Sequence, residues 1–144
     1  MRGYVLDASA VLALLNEEPG SDIVAQFITI GAVVSTVNFS EVVTKLSERG
    51  MPEEIIHETL DSLSIIIHNF DRAVAYEAGL LRLSTKKWGL SLGDRACLAL
   101  AQHLKLPAVT TDKAWGNLSI PVDIRVIRQN DSKAEVQPPE EGQE

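Results

Sequence analysis

Tyr4-Val5-Leu6-Asp7-Ala8-Ser9-Ala10-Val11-Leu12-Ala13-Leu14-Leu15 opens with three apolar residues, sets one acid behind them and continues into a second apolar run. Three residues ended by an acid read as a short buried strand. Asp7 then stands where a helix N-cap is preferred, ahead of a helix over 9–16. The same alternation repeats downstream. Runs at 33–36, 65–68, 108–110 and 124–127 are rich in β-branched residues and read as further strands. Segments 21–30, 39–49, 52–63, 72–86 and 94–103 read as helices. Pro19-Gly20 and Gly50-Met51-Pro52 break helices, and Pro52 suits a first helical turn. Strand alternating with helix predicts a parallel sheet covered on both faces, an α/β domain.

The length of 144 residues fits one domain that needs no disulfide framework. Cys97 is the single cysteine, so an intrachain disulfide and a cysteine-based zinc site are both excluded. That composition suits a reducing cytoplasm. The longest apolar runs, 10–15 and 96–101, fall far short of the ~20 residues that span a bilayer. Asp7 interrupts the opening apolar stretch, which predicts no secretory leader. Net charge is −7, the wrong sign for a protein that coats nucleic acid through bulk charge. Residues 129–144 account for −4 of it and contain Pro138-Pro139. They read as an acidic, disordered tail behind a domain over 1–128. The remainder carries only −3, so a nucleic-acid substrate stays open.

Ligands of open parallel sheets bind beyond the carboxyl ends of the strands. Asp7 follows the first strand and Asp112 the fourth; Asp94 opens a helix, and Glu41 lies in the first turn of the helix after strand two. Each acid has a plainer explanation. Asp7, Asp94 and Asp112 can each cap a helix. Glu41 lies opposite the Phe39, Val42, Val43, Leu46 stripe, beside Lys45 and Glu48, where periodicity predicts solvent. If the acids converge they have a chemical use. Carboxylates are hard ligands for Mg²⁺ or Mn²⁺, and without a cation crowded carboxylates repel and some protonate. A carboxylate–metal site activates water and stabilises phosphoryl transfer. No credible Cys–His pair offers another nucleophile.

Four stretches occur in order: Tyr4-Val5-Leu6-Asp7-Ala8-Ser9, Asn38-Phe39-Ser40-Glu41-Val42, Leu90-Ser91-Leu92-Gly93-Asp94 leading to Leu98-Ala99-Leu100-Ala101, and Thr110-Thr111-Asp112-Lys113-Ala114-Trp115. This set resembles a PIN-domain ribonuclease of the VapC toxin type over about residues 3–128. The resemblance implies a three-layer PIN-like fold with a parallel sheet of about five strands ordered 3-2-1-4-5. It implies an endoribonuclease using Mg²⁺ or Mn²⁺ at Asp7, Asp94 and Asp112, with Glu41 as the fourth acid. Ser9 and Thr111 match the small hydroxyl residues that position the carboxylates. A homodimer and a cognate antitoxin are also implied. Trp115 stands where the family often has another aromatic, and the tail lies outside the family pattern.

Lys86, Lys87, Arg95 and Lys113 are near the acid motifs and are candidate RNA phosphate contacts, against a plainer role as solubilising charge. Trp88 could stack a base but reads better as packing beneath the loop before Asp94. His57, His68 and His103 lack metal spacing, and Cys97 lies in an apolar run that reads as core. Tyr76, Leu80, Leu81 and Leu83 read as a core stripe whose exposed members could join a dimer face. Two rivals remain. A receiver or haloacid-dehalogenase phosphotransfer domain also sets Asp after strand one, and Asp71 and Thr110 suit a receiver. However, Leu6-Asp7 lacks the acidic pair, and Asp7-Ala8-Ser9 lacks the second Asp of Asp-x-Asp. A non-catalytic PIN-like binding module would be expected to have lost acids.

Overall fold

A pair of glycines sets where the central strands begin. Gly3 and Gly31 both have positive φ, +143° and +148°, and a Cβ on Gly3 would lie 2.9 Å from the Gly31 carbonyl oxygen. That close approach lets Tyr4 N–H donate to Gly31 O at 3.0 Å and starts two strands side by side. The computed structural model describes residues 2–127. The acidic segment 129–144 and its reading as a disordered tail therefore lie outside the described residues.

Strand β1 (Tyr4–Leu6) leads to α1 (Ala8–Leu15) and α2 (Ser21–Ile30). Next come β2 (Ala32–Ser35), α3 (Thr36–Glu48), α4 (Glu53–Asp61) and β3 (Ile66–His68). The second half holds α5 (Arg72–Leu80), α6 (Arg82–Thr85), α7 (Leu92–Leu104), β4 (Ala108–Thr110) and β5 (Ile124–Val126). Single 3-10 turns occupy Lys86–Trp88 and Lys113–Asn117. The sheet is parallel throughout, in the order β3-β2-β1-β4-β5. β1 is flanked by β2 and β4, so the order reverses between β1 and β4, where open α/β sheets bind ligands. Register pairs Val5 with Ala108 and Leu6 with Val109.

Side-chain alternation divides the core into two halves. Tyr4, Leu6, Ala32, Val34 and Val109 pack with α1, α2, α3 and α4. Val5, Val33 and Ala108 pack with α5 and α7, including Cys97 through Ala101. Tyr4 stacks on Phe27 with ring centroids 4.0 Å apart. This is the three-layer parallel fold expected from the sequence.

Several boundaries move, each for a local reason. The second strand ends at Ser35, whose hydroxyl accepts from Val37 N at 3.2 Å and caps α3. That helix therefore starts at Thr36, three residues before Phe39. Pro52 is the N-cap of α4 and not its first helical residue. The single helix expected over 72–86 divides at Leu81. There Ser84 and Thr85 hydroxyls both donate to the Leu81 carbonyl, at 3.3 and 2.8 Å, side-chain bonds that compete with the backbone ladder. Among the described residues no helix is long and apolar enough to cross a membrane.

Candidate functional site

Asp7 sits at the carboxyl end of β1, 5% exposed, and is the N-cap of α1. Its Oδ1 accepts from Ala10 N at 2.9 Å and from the Ser9 hydroxyl at 2.7 Å. Oδ2 accepts from the Thr110 hydroxyl at 2.6 Å. With two donors on Oδ1 and one on Oδ2, Oδ2 retains a lone pair for another group. The carboxyl is pushed up to about 6, first by burial and lastly by the charge of Asp94; the hydrogen bonds from Thr110, Ser9 and Ala10 oppose the rise. The capping role and the site role therefore coincide in one residue.

The neighbouring strand supplies the second acid through the same hydroxyl. Thr110 ends β4, is fully buried, and accepts from Asp112 N at 3.0 Å while donating to Asp7. Asp112 is exposed and caps the turn after β4, its Oδ1 accepting from Ala114 N at 2.9 Å. Of the two adjacent threonines, Thr110 holds the carboxylate. Thr111 contributes its backbone N–H, which donates to the Ser9 hydroxyl at 3.0 Å. The hydroxyls that touch Asp7 are thus those of Ser9 and Thr110.

Asp94 is the third residue of α7. Ser91 is the N-cap, and the two form a capping box: Asp94 N donates to Ser91 Oγ at 3.1 Å and Ser91 N donates to Asp94 Oδ2 at 2.9 Å. Glu41 lies in the second turn of α3 and is partly buried, not solvated as its periodicity predicts. The first turn of α7 covers it. A Cβ built on Gly93 would lie 2.6 Å from Glu41 Cδ, so any other residue there would push this carboxylate aside. Asn38, also buried, donates through Nδ2 to Glu41 Oε1 at 2.8 Å and to Gly93 O at 3.0 Å.

The charges of three of the acids act on one buried group, the Cys97 thiol. It is raised well above its ordinary value by burial and then by the charges of Asp7, Asp94 and Glu41. The core placement expected for this residue holds. The donors at the site are carboxylate and hydroxyl oxygens, which suit a hard divalent cation. A cation would also relieve the burial and like charge that raise Asp7. As the side chains stand, no group of three or more His, Cys, Asp or Glu among the described residues is arranged to hold an ion. Holding one would draw the carboxylates inward from their present partners. The same statement covers His57, His68 and His103.

Among the basic candidates, Arg95 is otherwise engaged. Its guanidinium NH1 donates to the Ala78 carbonyl at 2.9 Å and ties α7 to the end of α5. Lys86, Lys87 and Lys113 are exposed, and Lys87 Nζ lies 5.1 Å from the Trp88 ring centroid. Trp88 is itself 37% exposed and so only half packed, whereas Trp115 is fully buried. Tyr76, Leu80 and Leu83 are 63%, 72% and 87% exposed, leaving Leu81 as the core member of that stripe. A groove of about 170 Å³ between α3 and α4 is lined by Phe39, Val43, Ile56 and Leu60 and by none of the four acids.

The family profile described as PIN domain matches residues 4–120. A sequence comparison with curated proteins gives no match. Solved structures share the fold. A DNA-bound VapBC from Salmonella typhimurium superposes with TM-score 0.71 at 15% identity, covering 88% of this chain and 98% of that one. A toxin–antitoxin complex from Klebsiella pneumoniae gives 0.62 at 20% identity, covering 85% and 100%. A Mycobacterium tuberculosis VapC toxin described as cleaving the sarcin-ricin loop gives 0.65 at 14% identity, covering 84% and 99%.

Proposed function

Since this chain belongs to the PIN domain family, we propose that it is a Mg²⁺- or Mn²⁺-dependent endoribonuclease acting as the toxin of a toxin–antitoxin pair. The observation that carries the proposal is the buried Asp7 carboxyl, raised to about 6 with Asp94 adding to the rise. A perturbed acid at the switch point of a parallel sheet, close to two further acids, is what a cation-dependent phosphodiesterase needs. Asp7, Asp94 and Asp112 would hold the ion, with Glu41 joining directly or through water. When bound, the ion would supply charge stabilisation and an activated water for phosphoryl transfer.

The rest falls to the chain's own residues. Ser9 and Thr110 hold Asp7 with one Oδ2 lone pair turned free. A carboxylate of the set orients water for in-line attack on phosphorus. The P–O3′ bond breaks, leaving a 3′-hydroxyl on one fragment and a 5′-phosphate on the other. Lys86, Lys87 and Lys113 are exposed and would meet backbone phosphates, which positions RNA without reading its sequence. The antitoxin partner is supported by the shared fold with toxin–antitoxin complexes. A homodimer is supported by the exposed Tyr76, Leu80 and Leu83. A cytoplasmic setting would suit an RNA substrate and the single cysteine, Cys97.

The test is incubation of purified, antitoxin-free protein with total cellular RNA and Mn²⁺, beside Asp7→Asn and chelator controls. Discrete fragments confined to the wild-type metal lane are expected, and equal cleavage in chelator would overturn the proposal. A second reading is a PIN-fold module that binds without cutting. Such a module would show no Mn²⁺-dependent rise in melting temperature.

A further inference from the structure

Asn38 is the polar side chain that the four acids leave unexplained. It is 1% exposed and lies one helical turn before Glu41 in α3, on the same face. Both of its donors are used, on Glu41 Oε1 and on the Gly93 carbonyl. Its Oδ1 is buried with no hydrogen-bond partner. This pattern determines the orientation of the amide, because turned over it would set Oδ1 against two acceptors. A buried amide with one end unsatisfied packs worse than an apolar residue of its size. Its presence therefore makes sense through what the two donors hold.

They hold a carboxylate that has reasons to leave. Glu41 is a long, flexible side chain, and holding its carboxylate in one place costs it rotamer freedom. Asn38 ties it to the backbone of α7 at Gly93, the residue before Asp94, where the missing Cβ makes space for it. We propose that Asn38 is a positioning residue that clamps Glu41 to the first turn of α7 and so fixes the Glu41–Asp94 spacing from which a cation is held. This rests on the metal-nuclease reading above.

The test reads metal binding without RNA, from the paramagnetic resonance signal of free Mn²⁺ titrated with protein. Wild type, Glu41→Gln, Asn38→Leu, Asn38→Ala and the double variant Asn38→Leu/Glu41→Gln are compared, with circular dichroism to confirm folding. Leu keeps the volume, and Ala serves if Leu does not fold. The expected result is an Mn²⁺ affinity about tenfold lower for the Asn38 variant. The double variant should be no weaker than Glu41→Gln alone, since the residue acts through Glu41. Asn38 variants within twofold of wild type, or losses that add in the double variant, would overturn the clamp. If Glu41→Gln still binds Mn²⁺ more weakly than wild type, the metal site would stand without it. Wild-type protein that binds no Mn²⁺ would remove the metal site itself and the clamp with it.

Discussion

The Thr110 hydroxyl donates to Asp7 Oδ2 at 2.6 Å and receives the Asp112 amide at 3.0 Å, so one buried oxygen joins the acids that follow β1 and β4. Thr110→Val keeps the shape and removes both bonds. Loss of a group that orients a candidate ligand is expected to lower RNA cleavage about 10- to 100-fold. The Asp112 amide would also lose its partner, at about 1–3 kcal/mol if water does not replace it. Initial cleavage rates and a thermal melt, read side by side, check both.

Asp7 makes the metal-free protein less stable at neutral pH. Its folded value, about 6, lies above the ordinary 3.8, so the folded state binds the proton more tightly than the unfolded chain does. That advantage is fully present below about pH 4 and is lost as pH rises through about 6. Asp7→Asn should therefore stabilise the chelated protein at pH 7.5 by up to roughly 3 kcal/mol, with the gain shrinking toward pH 4. Denaturant unfolding at the two pH values decides it, and a constant difference would mean that the Asp7 charge is not the cause.

A cation held by Asp7 would compete with that proton. Cleavage in limiting Mg²⁺ should fall as pH drops through about 6, and raising Mg²⁺ should move the midpoint lower. Initial rates over a grid of pH and Mg²⁺ concentration test this. A midpoint indifferent to Mg²⁺ would separate Asp7 from the metal.

Gly93→Ala sets two effects against each other. Alanine favours a helix over glycine by about 1 kcal/mol, but here its Cβ would lie 2.6 Å from Glu41 Cδ. Alone, the substitution is expected to displace Glu41 and lower cleavage, with little or no gain in melting temperature. Combined with Glu41→Ala, which empties the space, it should become neutral or stabilising. Melting temperatures of the two single variants and the double variant close the cycle.

Arg95 and Lys113 should respond differently to alanine. Arg95→Ala frees the Ala78 carbonyl and should show itself mainly as lost stability. Lys113→Ala should leave the melt unchanged and weaken RNA binding with a shallower salt dependence. Binding titrations at several salt concentrations separate the two.

The layered sheet was legible because its signals are local. Short β-branched runs ended by Asp7 and Asp112, with helical stretches between, admit few other folds. What escaped the sequence depends on register and on second neighbours. Pairing of Leu6 with Val109 brings Asp7 beside Thr110 and not Thr111, and nothing in two adjacent threonines announces which faces inward. Glu41 looks solvated by period because α3 already has one apolar stripe. Its other side is covered by the start of α7, a contact between elements about fifty residues apart in sequence. Arg95 is near Asp94 in sequence, yet its side chain reaches the end of α5. The one signal that could have singled out Asn38 is a lone amide one turn ahead of a candidate acid.

Asp94 carries a divided obligation. The same Oδ2 that could meet a cation now receives the Ser91 amide and closes the start of α7. Recruiting that oxygen inward would set the amide loose, so occupancy of the acid cluster would be written in the backbone of the loop that follows Trp88. Amide exchange at Ser91 would then serve as a gauge of loading, readable with no RNA in the tube.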